Sequence, residues 1–441
     1  MAFVRSIGRW TMTALVINSI IGGGIFGLPG EVTRLLGRAS PIAMIVAALG
    51  MAVIVACITE VGSQFSDPGG AYLYVRTVFG RFIGIQIGWF NLLVLTSVIG
   101  ALANLFVSYL GTFLPWPVNT WERGSLMAIL IAIPAAANYF GIRSGANLSN
   151  VMTLAKLAPL VLLILFGVAR FIHQPQMIHA SEIASPGLSN WISAVVLLLF
   201  AYSGSESALL PTGEMREPRR TIPFGLGVGL LVCAAIYSLL QFITVATIGP
   251  MITDRPLAET ASVLFGRGGA TFVAVSVMLS TYGWISGAIL NAPRLAYSLA
   301  AQDDFPAILA RLHPRFHTPA VAILFCALVG WVLASSGTFL WLVALSSGAI
   351  MVLYVGTCAS LIPLRKLHSK APELRIPFGP VLSVLGIAIC LMLMTGLKRR
   401  EVFLMCVTVL VATGNWLWAR RHHLEPEVKP VGPVAPLSPP S

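Results

Sequence analysis

The sequence predicts an all-α integral membrane protein with twelve transmembrane helices. Of its 441 residues, 57% are hydrophobic and only 10% are charged, and the mean hydropathy is +0.86. A soluble domain carries about 25% charged residues, so this chain has too little polar surface to remain in water. Apolar runs of roughly 20 residues, the length that crosses hydrocarbon, recur along the chain and argue against a large soluble protein.

The apolar runs define the predicted spans, and polar segments flank them. The N-terminus, residues 1–10, has no short apolar region followed by a cleavage site, so we expect the first span to remain as an anchor. The tail, residues 420–441, ends in a Pro-rich stretch that cannot pack a core, and we expect it to be disordered. The predicted spans are 11–36, 40–64, 83–110, 124–140, 145–170, 188–213, 222–249, 270–299, 318–335, 338–362, 379–397 and 401–419.

The net charge of +12 indicates membrane orientation rather than a nucleic-acid partner. With both termini placed in the cytoplasm, 18 of the 28 Lys and Arg residues fall on the cytoplasmic side, nine fall outside, and Lys156 lies within a span. This bias follows the positive-inside rule. We therefore expect a multi-pass protein of the cell membrane, in the inner membrane of a bacterium, and no nucleic-acid partner.

The cysteines and histidines favour neither a metal site nor an enzyme. All six cysteines fall within apolar spans, and all seven histidines lie in loops or the tail. We expect no disulfide framework, no metal and no cofactor. The membrane segments offer no clustered carboxylates or Cys–His set for catalysis. A channel would need rings of repeated filter groups, and the sequence has no such repeat.

Two spans are interrupted by residues that form helices poorly. The first contains the glycines at 22–24 in "IIGGGIFGLPG", and the sixth contains "SGSE" at 203–206 followed by Pro211. Irregular backbone at membrane depth is tolerated only where it is buried in protein or lines a cavity. Paired interruptions indicate an inverted-repeat transporter, although the glycine run could instead be a close contact between helices.

The spacing of the interruptions divides the chain into two repeats. "FGR" occurs at 79–81 and again at 265–267, an offset close to the one between the two interruptions. An odd number of spans separates the members of each pair, so the copies face opposite sides of the membrane. The predicted organisation is a first repeat at 11–170 (helices 1–5), a second at 188–362 (helices 6–10), and two further helices at 379–419.

Two facing breaks suit an α-amino acid. Unwinding a helix frees N–H groups at the start of one half-helix and carbonyl groups at the end of the other. The N–H groups, at the positive end of the helix dipole, favour a carboxylate, and the carbonyl groups favour an ammonium ion. The breaks therefore predict a site for a small molecule that carries both groups.

Five segments, in order along nearly the whole chain, resemble amino-acid permeases of the amino acid–polyamine–organocation (APC) superfamily. The first matches the helix 1 motif Gly-Ser/Ala-Gly-Ile-Phe, with Gly23 at the Ser/Ala position. The others match the segment after helix 2, the helix 6 motif, the helix 8–9 connection and the helix 10–11 connection. The segments are "GGGIFGLPG", "TEVGSQFSDPGGAYLYVRTVFG", "FAYSGSESALLPTGEMREPRRTIPFGL", "APRLAYSLAAQDDFPAILARLHPRFHTPAVAIL" and "LRKLHSKAPELRIPFGP".

The resemblance implies a leucine-transporter-like 5+5 inverted repeat with helices 1 and 6 unwound, plus two peripheral helices. It implies a secondary active amino-acid transporter that works by alternating access, and it assigns site residues by motif. Phe200 stands where related exchangers place a gating aromatic, four residues before Gly204 in the second break. The residues implied on the carboxylate side are Gly22, Gly23, Gly24 and Ile25, and the carbonyl groups implied on the amino side are those of Ile20, Ile21, Phe200 and Ser203.

Two charged residues in the spans are candidates for ion or proton coupling. A lysine within a span is costly and functional by default, and some sodium-independent relatives carry one at the position of Lys156, where its ammonium replaces a sodium ion. Lys156 could also carry a proton, or extend its side chain to the membrane surface. Glu206, at the start of the second half of helix 6, could couple protons or cap the helix.

The sequence favours neutral L-amino acids as substrates. Glu60 and Glu206 are the acids clearly within spans, and neither is an obvious partner for a cationic side chain. Trp284, in the middle of helix 8, could stack on a cationic substrate or simply pack in the bundle, so exchange of cationic amino acids or polyamines stays open. The choice between proton symport and exchange also stays open. A non-transporting sensor of the same fold is a further alternative.

The loop between helices 3 and 4 bears on partner chains. Heavy-chain-linked relatives use a cysteine in this loop, and the loop here, "GTFLPWPVNTWERG", contains none. We therefore expect no disulfide-linked partner chain.

Overall fold

A computed structural model describes residues 8–65, 70–114, 119–141, 146–173, 186–205, 217–249, 253–367 and 374–422. The described residues form α-helices joined by loops and short 3-10 turns, and no β-strand occurs among them. The helices are α1 (Arg9–Ile20), α2 (Gly23–Gly27), α3 (Pro29–Leu36), α4 (Ser40–Gly62), α5 (Gly70–Leu110), α6 (Thr120–Tyr139), α7 (Ala146–His173), α8 (Leu188–Tyr202), α9 (Pro218–Ile248), α10 (Pro256–Ala301), α11 (Ala320–Ser336), α12 (Phe339–Leu367), α13 (Gly379–Met394) and α14 (Arg399–His422).

The first predicted span is a broken helix. α1 ends at Ile20, Ile21 is extended with ψ 96°, and Gly22 is extended with φ −130° and ψ −156°. α2 and α3 then follow one course, because Leu28 between them is right-handed helical and its N–H donates to the Gly24 carbonyl at 3.0 Å. The predicted interruption is confirmed, and the break lies at residues 21–22 rather than across all three glycines.

The sixth predicted span also loses its helix where the sequence predicts. α8 ends at Tyr202, Ser203 is extended with ψ 160°, and Gly204 has φ 104°. A positive φ of this kind favours glycine because no Cβ clashes with the backbone. Residues 206–216 lie outside the described part of the chain, and they include the candidate Glu206 and Pro211.

Two long helices bend at matched glycines. Gly80 in α5 has φ 81° and ψ −180°, and Gly266 in α10 has φ 73° and ψ −165°. Both are the central residue of the repeated "FGR". The helical segments before the bends, 70–79 and 256–265, precede the predicted spans 83–110 and 270–299. These two helices therefore begin 13 and 14 residues before the predicted starts of the spans.

The remaining helices follow the predicted ranges closely. Most described helix ends fall within a few residues of the predicted bounds, and α14 continues to His422, past the predicted tail start at residue 420. Residues 423–441, for which we predict disorder, lie outside the described residues.

The helices pack around α5 at the centre of the bundle. α5 contacts α12, α10 and α11 most extensively, α1 packs against α9, and α4 packs against α9 and α8. α14 lies against α5 and α12, and α13 lies against α12 and α4. Small residues allow these close approaches: a Cβ added at Gly225 or Gly229 of α9 would lie 2.9 or 2.6 Å from side-chain atoms of Met12 or Val16.

The outer faces of the bundle are apolar. Large hydrophobic side chains such as Leu49, Leu231 and Leu410 are 64%, 71% and 71% exposed, an arrangement that water would penalise and lipid would not. Among the described residues, seven helical stretches are long and apolar enough to cross a membrane, and three shorter apolar helices accompany them. The chain is a multi-pass membrane protein.

Candidate functional site

The two helix breaks lie against each other inside the bundle. A Cβ at Gly24 would lie 2.6 Å from the Cα atom of Ala201 in α8, and one at Gly204 would lie 2.6 Å from the carbonyl oxygen of Ser19. These approaches are possible only without side chains at the two positions. The sequence-predicted residues of helix 1 and helix 6 therefore meet in space.

Trp284 of α10 covers both breaks. A Cβ at Gly22 would lie 3.1 Å from the indole Nε1, and one at Gly204 would lie 3.5 Å from the ring atom Cη2. The indole therefore forms one wall of the site. A flat aromatic wall beside backbone that is not helical can contact a bound molecule by its face.

Lys156 of α7 reaches the carbonyl end of α1. Its Nζ donates to the carbonyl oxygen of Asn18 at 2.6 Å, and it lies 6.0 Å from the centre of the Trp284 ring. The residue is only 6% exposed. The last carbonyl groups of a helix have no intrahelical donor and carry the negative end of its dipole. The ammonium of Lys156 therefore donates to one of the last carbonyl groups of α1, at the negative end of the helix dipole.

Tyr237 of α9 joins the two breaks and was not singled out from the sequence. Its hydroxyl lies 3.0 Å from the carbonyl oxygen of Ile20 and 3.3 Å from that of Ala201. Its side chain is fully buried, and a buried tyrosine hydroxyl needs a hydrogen-bond partner. That requirement was the one available signal, but it could not identify the acceptor.

The predicted carbonyl groups are partly engaged within the chain. Ile20 accepts from Tyr237, and Phe200 accepts from the Ser203 hydroxyl at 2.9 Å. A carbonyl oxygen has two lone pairs, so each can accept a second bond from an ammonium group. Ile21 adds an extended carbonyl between α1 and α2, in a residue that is fully buried.

The three glycines of the first break have different neighbours. Gly22 faces Trp284, Gly23 faces Leu102 and Leu105 of α5, and Gly24 faces α8. Gly23 and Gly24 belong to the first turn of α2, where helix geometry leaves N–H groups without an intrahelical acceptor. Close helix packing and free N–H groups thus occur together in this stretch, and Ile25, at 1% exposure, packs in the core behind it.

A cavity of about 670 Å³ lies next to the breaks. We call it the α3–α6 cavity, because its lining includes Arg34 of α3 and Arg123 of α6. Its lining also includes Gly27, Leu105 and Phe339, and these three form the floor towards the breaks. A Cβ at Gly27 would lie 2.6 Å from Cζ of Phe339 and 2.9 Å from Cδ1 of Leu105. The Phe339 ring packs edge-on to Phe200, with 6.4 Å between ring centres.

The opposite end of the bundle is held by buried carboxylates. Asp304 lies after α10, is fully buried, and accepts hydrogen bonds from Tyr72 and from Arg81, the latter at 2.6 Å. Glu60, at the end of α4, accepts two hydrogen bonds from Arg365 of α12, at 2.5 and 2.7 Å. This salt bridge between Glu60 and Arg365 joins α4 to α12.

Comparison with known proteins identifies the family. The model for the family described as "Amino acid permease" matches residues 7–419. The serine/threonine exchanger SteT of Bacillus subtilis is 28% identical over 395 residues, covering 87% of this chain and 89% of the relative. The branched-chain amino acid permease BcaP of the same bacterium is 25% identical over 441 residues, covering 95% and 94%.

A further relative has a different named substrate. The methylthioribose transporter of Bacillus subtilis is 23% identical over 449 residues, covering 96% of this chain and 95% of the relative. All three names describe transport rather than catalysis, and they point to a non-enzymatic role. Together with the match over residues 7–419, they lead to one conclusion: the chain belongs to the amino acid permease family of the APC superfamily.

Proposed function

We propose that this chain is a sodium-independent secondary transporter that moves neutral L-amino acids by alternating access. Lys156 at the carbonyl end of α1 is the observation that carries the proposal. Its ammonium donates to Asn18 at 2.6 Å and supplies the positive charge that a sodium ion would bring to these carbonyl groups. Coupling then occurs by proton symport or by exchange, with Lys156 and Glu206 as the candidate proton sites.

The breaks support recognition of the part common to all α-amino acids. The substrate carboxylate faces the N–H groups at the start of α2, and its ammonium group faces the carbonyl groups at the ends of α1 and α8. Trp284 and Phe200 bound the side-chain space. We propose ligand contacts at Ile20, Ile21, Gly22, Gly23, Gly24, Ile25, Phe200, Ser203, Gly204 and Trp284.

Neutral substrates fit the charge of the site. Among the described residues, Lys156 is a charged side chain next to Trp284, and its positive charge disfavours a cationic substrate side chain at this position. The names of the serine/threonine exchanger and the branched-chain permease suggest L-serine, L-threonine and L-leucine as first substrates to test. Exchange of cationic amino acids or polyamines is the second candidate, because Trp284 offers a cation–π surface.

The same proposal extends to topology. We propose twelve spans, with two inverted repeats of five and α13 and α14 at the periphery, in a bacterial inner membrane with both termini in the cytoplasm. The matched positive-φ glycines at positions 80 and 266 and the two broken helices support the repeat. We also propose that the chain acts without a disulfide-linked partner.

Uptake by purified protein in proteoliposomes tests the function. Labelled L-serine, L-threonine, L-leucine and L-arginine are offered with and without sodium, and with and without internal amino acid. We expect uptake of the neutral amino acids that does not change when choline replaces sodium. Sodium-dependent uptake would refute the role of Lys156, and binding without uptake or counterflow would indicate a sensor.

A further inference from the structure

The α3–α6 cavity is lined by a positively charged side chain whose position is fixed by hydrogen bonds to neutral groups. Arg123 donates from Nη2 to Oδ1 of Asn104 at 2.9 Å. Asn104 is 1% exposed and is itself held by donating to the carbonyl oxygens of Gly100 and Ala334, both at 3.0 Å. This chain of hydrogen bonds joins α6, α5 and α11, and it orients the guanidinium without neutralising its charge.

The other arginine of this cavity is already paired. Arg34 makes two hydrogen bonds to Glu31, at 2.7 and 2.6 Å. Within the described residues, by contrast, no carboxylate lies within 4.0 Å of the Arg123 guanidinium. A guanidinium has five N–H donors, and Asn104 uses one of them. Arg123 thus retains donors in the fork geometry that suits a carboxylate.

The cavity also has the size and the position for a small zwitterion. Its volume of about 670 Å³ is within the usual range for small-molecule pockets, roughly 300–1,000 Å³. Asp254 is part of the lining and offers a carboxylate for an ammonium group. Leu105 and Phe339 line the side of the cavity that faces the breaks, and Phe339 packs against Phe200 of α8.

We propose that the α3–α6 cavity is a second amino-acid site, in which Arg123 binds the carboxylate of a zwitterionic amino acid before it passes Phe339. This inference rests on the proposed transport function, because it places the site on the substrate's path. It assigns Arg123 to capture of the α-carboxylate, whereas Leu105 and Phe339 close the passage to the breaks. The ligand class is α-amino acids with a free carboxylate.

Equilibrium dialysis and uptake with the full chain test the proposal. The probes are L-serine and L-leucine, and the competitors are their decarboxylated counterparts, ethanolamine and isoamylamine. For the unaltered protein we expect two molecules of amino acid bound per chain. For Arg123→Gln we expect one, together with a roughly tenfold rise in the KM of uptake, the size expected for the loss of one charged hydrogen bond.

Matched variants separate recognition from folding. Arg255→Gln removes the same charge from a residue that bonds Thr112 and Glu259 and lies outside the cavity lining, so uptake and stoichiometry should not change. Arg123→Lys keeps the charge and should retain most of the binding. Competition by the two amines should be the same for the unaltered protein and for Arg123→Gln, because neither amine carries a carboxylate.

Two outcomes overturn the proposal. The first is the finding that the unaltered protein binds a single amino acid per chain. This result does not depend on whether any variant folds. The other is an Arg123→Gln protein with the KM and stoichiometry of Arg255→Gln. The proposed function fails separately, if the unaltered protein in proteoliposomes takes up neither amino acid, and in that case dialysis still counts the sites.

Discussion

The side chain of Lys156 contacts the carbonyl end of α1. The bond from Nζ to the Asn18 carbonyl is 2.6 Å long and partly buried, so removing the ammonium takes this charged donor away from the end of α1. We expect Lys156→Met to lower amino-acid uptake at least tenfold, because it removes a hydrogen bond from a charged donor, worth about 1.5–3 kcal/mol, at the position where the helix must stay open. Initial rates in proteoliposomes over a range of pH provide the measurement.

The pH profile distinguishes the two roles proposed for Lys156. A residual uptake that no longer depends on pH would assign the proton to this lysine, and an unchanged profile would remove it as the proton site. Lys398→Met, in the turn before α14, deletes the same charge and should keep uptake within about twofold. Full activity in Lys156→Met would refute both roles.

Gly204 is required both for its backbone conformation and for the space around it. Its φ is 104°, and a Cβ there would lie 2.6 Å from the Ser19 carbonyl oxygen. We expect Gly204→Ala to lower the free energy of unfolding by roughly 1–3 kcal/mol and to abolish amino-acid binding, because the first break must shift. Thermal unfolding with and without L-serine measures both effects.

A glycine nearby provides the control for Gly204. Gly287 lies one helical turn beyond Trp284 in α10, and a Cβ there would have no heavy atom within 4 Å. Gly287→Ala should therefore leave binding intact and stabilise the helix slightly. If Gly204→Ala retained ligand-induced stabilisation equal to that of Gly287→Ala, the assignment of Gly204 to the site would be wrong.

At the scale of elements, the sequence predicted the apolar helices well and the helical segments before the glycine bends poorly. Hydropathy identifies a span by its apolar length, and the segment at 70–79 contains "AYLYVRT", whose polar and aromatic residues lower that signal. The segment follows the span at 40–64 through the Asp-Pro-Gly-Gly turn sequence at 67–70, which reads as a loop. The helix there depends on tertiary contacts such as the Tyr72–Asp304 hydrogen bond.

The bends at Gly80 and Gly266 are strained conformations with open space around them. Both residues have φ between 70° and 85° with ψ near 180°, a region essentially restricted to glycine, and a Cβ at either would meet nothing within 4 Å. We expect Gly80→Ala and Gly266→Ala each to destabilise the protein by about 1–3 kcal/mol through backbone strain alone. Thermal unfolding in detergent measures the shift.

Gly268 supplies a control two residues from one bend. It has the same open surroundings but no positive φ, so Gly268→Ala should stabilise the helix by roughly 0.5–1 kcal/mol. Equal melting temperatures for Gly266→Ala and Gly268→Ala would mean that the bend tolerates a side chain and does not need glycine.

At the scale of the molecule, the sequence located the two breaks but not what surrounds them. The glycine run, the "SGSE" stretch and a lysine within a span are local signals, and Trp284 could stack on a substrate or simply pack in the bundle. Contacts that complete the site join residues far apart in sequence, 138 positions for Lys156–Asn18 and 217 for Tyr237–Ile20. Such pairs depend on how the helices pack, and one sequence does not encode that packing in any short pattern.

The two ends of the bundle differ in how they are closed. The floor of the α3–α6 cavity contains Leu105, whereas the Asp304 cluster surrounds Arg81, roughly 36 Å away along α5 at 1.5 Å per residue. Asp304 holds Tyr72, Arg76 and Arg81 of α5, and its carbonyl accepts from Asn415 of α14 at 2.6 Å. Transport by alternating access requires such a closure to open while the cavity end closes.

Asp304→Asn should loosen this closure. The carboxylate is fully buried, while the side chains of Arg76 and Arg81 remain 26% and 16% exposed. We therefore expect a loss of roughly 1–3 kcal/mol of stability, less than the ~3–5 kcal/mol typical of a fully buried pair. Hydrogen–deuterium exchange should rise in the segment at 70–79, and uptake should fall because the two ends no longer alternate.

Asp303→Asn is the matched control: Asp303 has φ 60°, a conformation that asparagine also tolerates, and its carbonyl still accepts from Arg81. Exchange at 70–79 that stays at the level of Asp303→Asn would mean that Asp304 does not hold this end closed.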